Sequence, residues 1–276
     1  MRRLVVLALA GCAAKPAPVA VPVPVTSCTG NVSVDRDQIV VAGRWRGHPV
    51  RILLDTGAAM GGVSKSFALA HHLAPVGTGS AMGIGGKVFE SDLYDLGPFQ
   101  LGGGELDGTE FLAFDTDRYD LMIGTHELKT HAFELDIVKS SFCLAASPHP
   151  RATEPFRLEG DDNELPYITA RVGDVELRHM VLDTGAALST LREDLITRIT
   201  YQLDSEHSVE DSVGERTNRV FVRVPEICVG ATCMHEQVLA LTDTVTTASI
   251  DGLVGVPFMV GRALVIDYPA RKFGFY

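Results

Sequence analysis

The sequence lacks the features of several common functional classes. No run rich in Lys or Arg is present, and 24 basic residues against 35 acidic ones give a net charge of −11, which argues against binding nucleic acid through its phosphates. The chain has no CxxC motif, no Cys/His spacing of a zinc site and no GxSxG nucleophile motif. The apolar run at residues 4–10 is too short for a permanent membrane helix, which needs about 20 residues.

Aromatic residues are also few, whereas glycine is abundant. Short apolar segments alternate with Gly, Pro, Asp and Asn, a pattern typical of β-strands joined by turns. Only residues 64–72 and 192–199 have a helical pattern. At 276 residues the chain is long enough for one large domain or two small ones. The sequence predicts a mostly all-β protein with few short helices.

The first residues have the pattern of an export signal. Arg2 and Arg3 precede the apolar run, and small residues follow it. These features are typical of a secretory signal peptide, which we assign to residues 1–11. An exported protein folds in an oxidising compartment, where disulfides persist.

Cys12 follows Leu-Ala-Gly in a segment that resembles the bacterial lipobox, in which the cysteine is lipidated. An ordinary cleaved signal with an incidental cysteine is the alternative. Ala13 resembles the residue found in lipoproteins sent to an outer membrane. Residues 15–25 alternate Pro with small apolar residues, which favours an extended spacer. We therefore expect residues 12–28 to be a lipid anchor and tether, holding the protein on the periplasmic or surface face of the outer membrane.

Four further cysteines make disulfides possible. Cys228 and Cys233 flank a plausible hairpin turn and would bridge it, in which case Cys28 and Cys143 would pair. Three pairings are possible, and the sequence does not choose among them. Metal binding is the alternative, which the spacing does not favour.

An internal repeat organises the chain. The segment around Asp55 recurs around Asp183 (183 − 55 = 128), and Gly124 and Gly255 end two matching apolar segments (255 − 124 = 131). An apolar–Asp segment follows each glycine, at Asp136 and at Asp267 (267 − 136 = 131). The three matches come in the same order in both halves and at nearly constant spacing. Such matches indicate a duplication.

The repeat and a polar, Pro-rich stretch between its halves predict the domain organisation. We assign residues 29–147 to an N-terminal lobe, 148–166 to an interlobe linker and 167–276 to a C-terminal lobe.

Each half contains one Asp-Thr-Gly turn after an apolar strand, at Asp55 and at Asp183. A single turn of this kind is a common local structure. Two copies at equivalent places would meet across a pseudo-twofold axis. Carboxylates roughly 3 Å apart share one proton, and such a pair supplies an acid and a base together. It would activate water directly, without a metal or another cofactor.

This pattern resembles the retropepsin-like aspartic proteases, in a bacterial form with two repeats fused in one chain. The resemblance covers about residues 35–276. It implies a pepsin/retropepsin-like fold of two β lobes with a cleft between them, and Asp55 and Asp183 as the catalytic pair. The residues that would support the catalytic loops are Thr56, Gly57, Ala58, Thr184, Gly185 and Ala186. In the family the two threonines cross-link the loops by hydrogen bonds.

The resemblance also implies a flap that closes over an extended peptide. Gly83, Ile84, Gly85 and Gly86 resemble its glycine-rich tip. The second half has residues 212–215 (Ser-Val-Gly-Glu) at this place, which does not predict a second flap.

The implied function is an aspartic endopeptidase that acts on a peptide or protein substrate. The alternative is a non-catalytic lipoprotein that keeps the fold and binds peptides or proteins. Because one chain carries both aspartates, we expect a catalytically complete monomer.

One motif suggests a metal site and fails on its spacing. Residues 126–131 (HELKTH) are similar to the HExxH motif of zinc proteases, but His126 and His131 are five residues apart rather than four. They would therefore not share one helix face. We predict no metal site.

The alanine after each Asp-Thr-Gly turn generates a prediction about pH. A hydroxyl at Ala58 or Ala186 would donate a hydrogen bond to the carboxylates and stabilise their ionised form. We expect Ala58→Ser and Ala186→Ser to move the acid limb of the pH–activity profile to lower pH. An unchanged acid limb in both variants would refute this.

Overall fold

The computed structural model describes residues 28–35, 37–82, 88–159, 164–210, 216–242 and 250–276. Within these ranges the chain is mostly β-strand with four short helices, which confirms the predicted fold class. No helix in this part of the chain is long and apolar enough to cross a membrane. The predicted signal peptide, the lipidation site Cys12 and the flap residues Gly83, Ile84, Gly85 and Gly86 lie outside the described residues, as does the tether before Cys28.

The first half consists of short strands and two helices. The strands are β1 (Thr29–Gly30), β2 (Val32–Asp35), β3 (Gln38–Trp45), β4 (His48–Leu54), β5 (Gly62–Ser64), β6 (Pro75–Met82), β7 (Val88–Tyr94), β8 (Phe99–Leu101), β9 (Gly104–Leu106), β10 (Phe111–Phe114), β11 (Leu121–Ile123), β12 (Ala132–Asp136) and β13 (Ser141–Ala145). The helices are α1 (Lys65–Ala70) and α2 (Thr125–Leu128).

The second half has a similar order of elements. Its strands, with two from the predicted linker, are β14 (Glu154–Pro155), β15 (Arg157–Glu159), β16 (Leu165–Val172), β17 (Val175–Leu182), β18 (Thr190–Arg192), β19 (Gln202–Glu210), β20 (Arg216–Val229), β21 (Thr232–Thr242), β22 (Gly252–Val254), β23 (Ala263–Asp267) and β24 (Lys272–Phe275). A 3₁₀ helix (Glu193–Arg198) follows β18, and α3 (Val256–Met259) follows β22.

The longer helices lie where the sequence predicts them. In α1, Ser64 acts as the N-cap and its hydroxyl accepts a hydrogen bond from the Phe67 N–H at 3.1 Å. Phe67 and Ala68 then face the core. The 3₁₀ helix occupies the equivalent place after β18 and buries Leu195. Both helices therefore lie within the ranges 64–72 and 192–199.

The two halves repeat one sheet topology. In the first, the strands are ordered β6-β7-β10-β5-β11-β4-β3-β8-β9, with β2 also paired to β3. In the second, the order from the same end is β19-β20-β21-β18-β22-β17-β16-β15. The seven strands from β6 to β3 thus match the seven from β19 to β16. The internal repeat seen in the sequence is a repeat of structure.

A third sheet joins the halves, in the order β1-β13-β12-β23-β24-β14. At its centre β12 and β23 are antiparallel, and Glu134 pairs with Val265. These two residues are 131 positions apart (265 − 134 = 131), which is also the spacing of Gly124 and Gly255. Equivalent residues that pair with each other indicate a pseudo-twofold axis through this point. The predicted linker contributes β14 here, and the lobe boundaries remain predictions.

Each half also has a long hairpin at the edge of its sheet. β6 pairs with β7, and β19 pairs with β20 as far as Glu210 opposite Arg216. The sequence did not predict the second hairpin, because its tip has one glycine where the first has three. Pairing along the strands, rather than glycine at the tip, determines the hairpin. Both tips, 83–87 and 211–215, lie outside the described residues.

Two disulfides connect the four cysteines of the described chain. Cys28 bonds to Cys143, and Cys228 bonds to Cys233. The second pair lies directly across the β20–β21 hairpin. The first attaches the start of the described chain to β13, a strand of the sheet shared by both halves.

Candidate active site

Each candidate aspartate follows the buried end of a strand. Leu54 ends β4 and Leu182 ends β17, and both are fully buried. The N–H of Asp55 donates to the Ile123 carbonyl at 3.0 Å, and the N–H of Asp183 donates to the Val254 carbonyl at 3.0 Å. These bonds extend the parallel ladders β4–β11 and β17–β22 by one residue. Backbone hydrogen bonds therefore fix the position of the main chain at each aspartate.

Two threonines bind the loops to each other. The N–H of Thr56 donates to the Thr184 hydroxyl at 3.1 Å, and the N–H of Thr184 donates to the Thr56 hydroxyl at 3.0 Å. Each hydroxyl also donates across the axis, from Thr56 to the Leu182 carbonyl at 2.6 Å and from Thr184 to the Leu54 carbonyl at 2.7 Å. Both threonines are completely buried. These four bonds hold the two aspartates at one place.

Glycine is required beside each aspartate because the opposite carboxylate occupies the space. A Cβ added to Gly57 would overlap the carboxylate of Asp183, and one added to Gly185 would overlap that of Asp55. Their amides orient the aspartates instead: Gly57 N–H donates to Asp55 Oδ1 at 3.1 Å and Gly185 N–H to Asp183 Oδ1 at 2.9 Å. The predicted loop residues Thr56, Gly57, Thr184 and Gly185 are thus brought together at one site.

The two alanines do not occupy identical positions relative to the carboxylates. Ala186 N–H donates to Asp183 Oδ1 at 3.1 Å, whereas Ala58 N–H donates to the backbone carbonyl of Asp55 at 3.2 Å. The Ala58 amide also lies within reach of the Asp55 carboxylate, so each carboxylate accepts two amides from its own loop. Asp183 accepts a third, from Gly57 of the opposite loop. This favours ionisation of Asp183 over that of Asp55.

The aspartates form a coupled carboxyl pair. Asp183 is buried and Asp55 is half-buried, and their side chains hydrogen-bond to each other. Burial and the Asp183 charge raise the pKa of Asp55 well above its ordinary value. Burial also raises the pKa of Asp183, against the hydrogen bonds that it accepts. Such a pair retains one proton over a wide pH range.

Two tyrosines that sequence reasoning missed lie close to the pair. Burial and the charge of Asp55 raise the pKa of Tyr119 to about 12. Burial, with the charges of both aspartates, also raises the pKa of the fully buried Tyr268. Both phenols therefore stay neutral beside the carboxyls. Tyr268 directly follows Asp267 in the third repeated segment. This position was the only feature of the sequence that could have indicated its place near the site.

Glu127 is a third residue that the sequence did not assign to the site. It lies in the segment that is similar to a zinc-protease motif, but its carboxylate binds backbone. Oε2 accepts from Gly124 N–H at 2.8 Å and Oε1 from Gly61 N–H at 3.2 Å. Gly61 belongs to the loop that follows Asp55. Gly61 is equivalent to Ser189 in the repeat (189 − 61 = 128), and the missing hydroxyl at Gly61 was the signal for this contact.

The arrangement supports acid and base catalysis at one point. A single proton shared by two carboxyls leaves one oxygen able to accept a proton while another donates one. The two groups face the same position because the threonine bonds hold their loops together.

The model of a family described as Aspartyl protease matches this chain over residues 41–126 and 168–258. The match covers more than half of the chain, and each range contains one Asp-Thr-Gly turn with the strand before it. A search of the curated proteins finds no match.

The threonine bonds generate a stability prediction. Thr56→Val keeps the shape of the side chain but removes the hydroxyl that both accepts and donates across the axis. We expect a loss of about 2–4 kcal/mol in the free energy of unfolding, because two buried backbone groups lose a partner. Denaturant titration measures it. The matched control is Thr125→Val, equally buried, whose hydroxyl contacts are long at 3.4 and 3.5 Å; equal losses in both variants would contradict the prediction.

The carboxyl pair generates a prediction about pH and stability. Because the pKa of Asp55 is raised above its ordinary value of 3.8, its contribution to stability is present below about pH 4 and is lost as the pH rises through the raised pKa. We expect Asp55→Asn, which cannot ionise, to exceed the wild type in free energy of unfolding by an amount that grows as the pH rises above about 4.

Asp136→Asn is the control, with the opposite sign. Burial favours its neutral form, but hydrogen bonds and charge from Lys139 lower the pKa of Asp136 overall. This variant should therefore be less stable than the wild type near neutral pH and approach it in acid. A gap for Asp55→Asn that stayed constant with pH would contradict the assignment.

Proposed function

The chain belongs to the retropepsin-like aspartyl protease family, and from this membership we propose that it is an aspartic endopeptidase, with Asp55 and Asp183 as its catalytic residues. The alternative is a lipoprotein that keeps the fold and binds peptides or proteins without cleaving them. The first function is favoured because both Asp-Thr-Gly turns are intact and meet.

One observation carries the proposal, the reciprocal bonding of Thr56 and Thr184. It brings two carboxyls from opposite halves, Asp183 buried and Asp55 half-buried, into hydrogen-bond contact. Burying a pair of carboxyls disfavours their charged forms and lowers the stability of the fold, a cost that is typical of functional sites. Hydrolysis of a peptide bond is a reaction that uses the proton shared by the pair.

In the proposed reaction, the pair binds a water molecule between its two carboxyls. The ionised member takes a proton from this water, and the protonated member donates a hydrogen bond to the scissile carbonyl oxygen. The water oxygen attacks the carbonyl carbon directly, so no covalent acyl-enzyme forms. The C–N bond of the resulting tetrahedral intermediate then breaks as a proton passes from the pair to the leaving amine nitrogen, and the pair keeps one shared proton. These roles belong to the coupled pair, although the additional amide bond from Gly57 of the opposite loop favours Asp183 as the ionised member.

The substrate of this reaction is an extended peptide segment lying between the two halves. β6 and β19 are the end strands of their sheets among the described residues. Edge strands have backbone groups available to pair with an extended peptide, and side-chain pockets then give selectivity. Met82 and Val88, where the first hairpin approaches its tip, are exposed apolar residues that support contact with a substrate.

We place the protein outside the cytoplasm, attached to the outer membrane through a lipid on Cys12. The signal-like N-terminus and the lipobox-like segment support this location. The disulfides Cys28–Cys143 and Cys228–Cys233 support it independently, since such bonds persist in oxidising compartments. Both aspartates come from one chain, so a monomer suffices for the reaction.

The test is cleavage of an unfolded protein substrate by the purified protein from acidic to neutral pH. We expect Asp183→Asn and Asp55→Asn each to lower the cleavage rate by about a thousandfold or more, because neither variant can form the shared-proton pair. Asp136→Asn is the matched control, since Asp136 is also a buried aspartate but lies outside the loops. It should cleave at the wild-type rate.

Equal cleavage by the wild type and Asp183→Asn would refute the dyad. A wild-type protein that is folded by circular dichroism, binds peptides and cleaves none would favour the alternative function.

A further inference from the structure

The two catalytic loops are attached to the segments behind them by different side chains. In the first half, the Glu127 carboxylate bridges Gly124 N–H at 2.8 Å and Gly61 N–H at 3.2 Å. In the second half, the Ser189 hydroxyl accepts from Gly255 N–H at 3.1 Å. Gly124 and Gly255 are equivalent, and each precedes a helix. The amide of the glycine before the helix is therefore bound in both halves. The acceptor comes from the helix in the first half and from the catalytic loop in the second.

Ordinary helix capping does not explain Glu127 fully. A glutamate at the third position of a helix often accepts from the N-cap amide, as Glu127 does from Gly124. The second oxygen binds Gly61, which is 66 positions away and belongs to the Asp55 loop. Glu127 is only 6% exposed, and this burial raises its pKa to about 7 against the hydrogen bonds and the Lys129 charge that lower it. A cap for a helix of four residues does not require a buried carboxyl.

Lack of space explains why the first loop cannot use serine. Gly61 is equivalent to Ser189 (189 − 61 = 128), but a Cβ on Gly61 would lie 2.7 Å from Cζ of the fully buried Phe111. Strand registers make Leu239 the equivalent of Phe111, since Leu112 pairs with Gly62 and Ala240 pairs with Thr190. The larger ring fills the place of the hydroxyl. The acceptor must then come from α2.

We propose that Glu127 is the positioning residue of the Asp55 loop, and that its carboxylate holds Gly61 and Gly124 together as the Ser189 hydroxyl holds the Asp183 loop to Gly255. The role in catalysis rests on the proposed function. Glu127 touches no reacting atom and acts through the loop. Removing it loosens Asp55 relative to Asp183, which lowers turnover because small misplacements of a catalytic group are costly.

The first test is hydrogen exchange of the full chain, which needs no cleavage. Glu127→Leu removes both acceptors, and we expect amides in residues 55–62 to exchange about tenfold faster while those in 183–190 stay unchanged. Ser189→Ala is the matched variant and should give the reverse pattern. Glu127→Gln keeps one acceptor oxygen and should fall between wild type and Glu127→Leu. Equal acceleration in both loops, or in neither, would overturn the proposal.

The second test is the split between kcat and KM. We expect Glu127→Leu to lower kcat about tenfold with KM within about twofold of the wild type, because the loop positions the reacting carboxyl and not the substrate. Val172→Ala, in the buried core far along β16, controls for lost stability and should lower the melting temperature without changing kcat. An unchanged kcat in Glu127→Leu would reduce Glu127 to a structural cap.

The third test introduces into the first half the serine acceptor that the second half uses. In the triple variant Gly61→Ser, Phe111→Leu and Glu127→Leu, the smaller side chain at 111 makes room for a hydroxyl at 61. We expect amide exchange in residues 55–62 to slow again. The kcat should be at least threefold higher than that of Glu127→Leu, which is about tenfold below the wild type. Recovery of the melting temperature without recovery of kcat would overturn the positioning role. A wild type that cleaves nothing would refute the proposed function, whereas the exchange data would still decide whether Glu127 holds the loop.

Discussion

The four hydrogen bonds between Thr56 and Thr184 and the carbonyls behind them are the interaction on which the rest of the site depends. Each bond crosses from one half to the other, and all are buried, where an unmade bond is most costly. They place each glycine against the opposite carboxylate, which excludes any other residue there. The central pair Glu134–Val265 imposes the same axis from the shared sheet. Two independent parts of the fold thus determine one symmetry.

This symmetry places two carboxyls where the fold disfavours their ionisation. Burial raises the pKa of both, and the Asp183 charge raises that of Asp55 further. The neutral tyrosines nearby add no compensating positive charge. The site therefore sacrifices stability at neutral pH to retain a proton between two acceptors. Such a sacrifice is typical of functional sites, where stability and reactivity conflict.

The sequence predicted the parts of this site that are local or duplicated. The Asp-Thr-Gly turns, their apolar strands and the helix capped by Ser64 each have a short-range pattern. The second hairpin was missed, because pairing of β19 with β20 depends on the whole length of the strands and not on the residues of the turn. Glu127 was missed for a related reason. Its partner Gly61 is 66 positions away, and no local pattern reports such a contact.

The differences between the halves indicate what the duplication has kept. Gly61, Phe111 and Glu127 in one half replace Ser189, Leu239 and Phe258 in the other, yet the amide of the glycine before the helix is bound in both. A serine at 61 would meet the Phe111 ring, so Gly61 cannot change to serine while Phe111 remains. The constraint therefore acts on the position of the loop backbone rather than on the residue that supplies the acceptor. The two halves are thus equivalent in hydrogen-bond geometry at this position, although Glu127 in one half corresponds to Phe258 in the other.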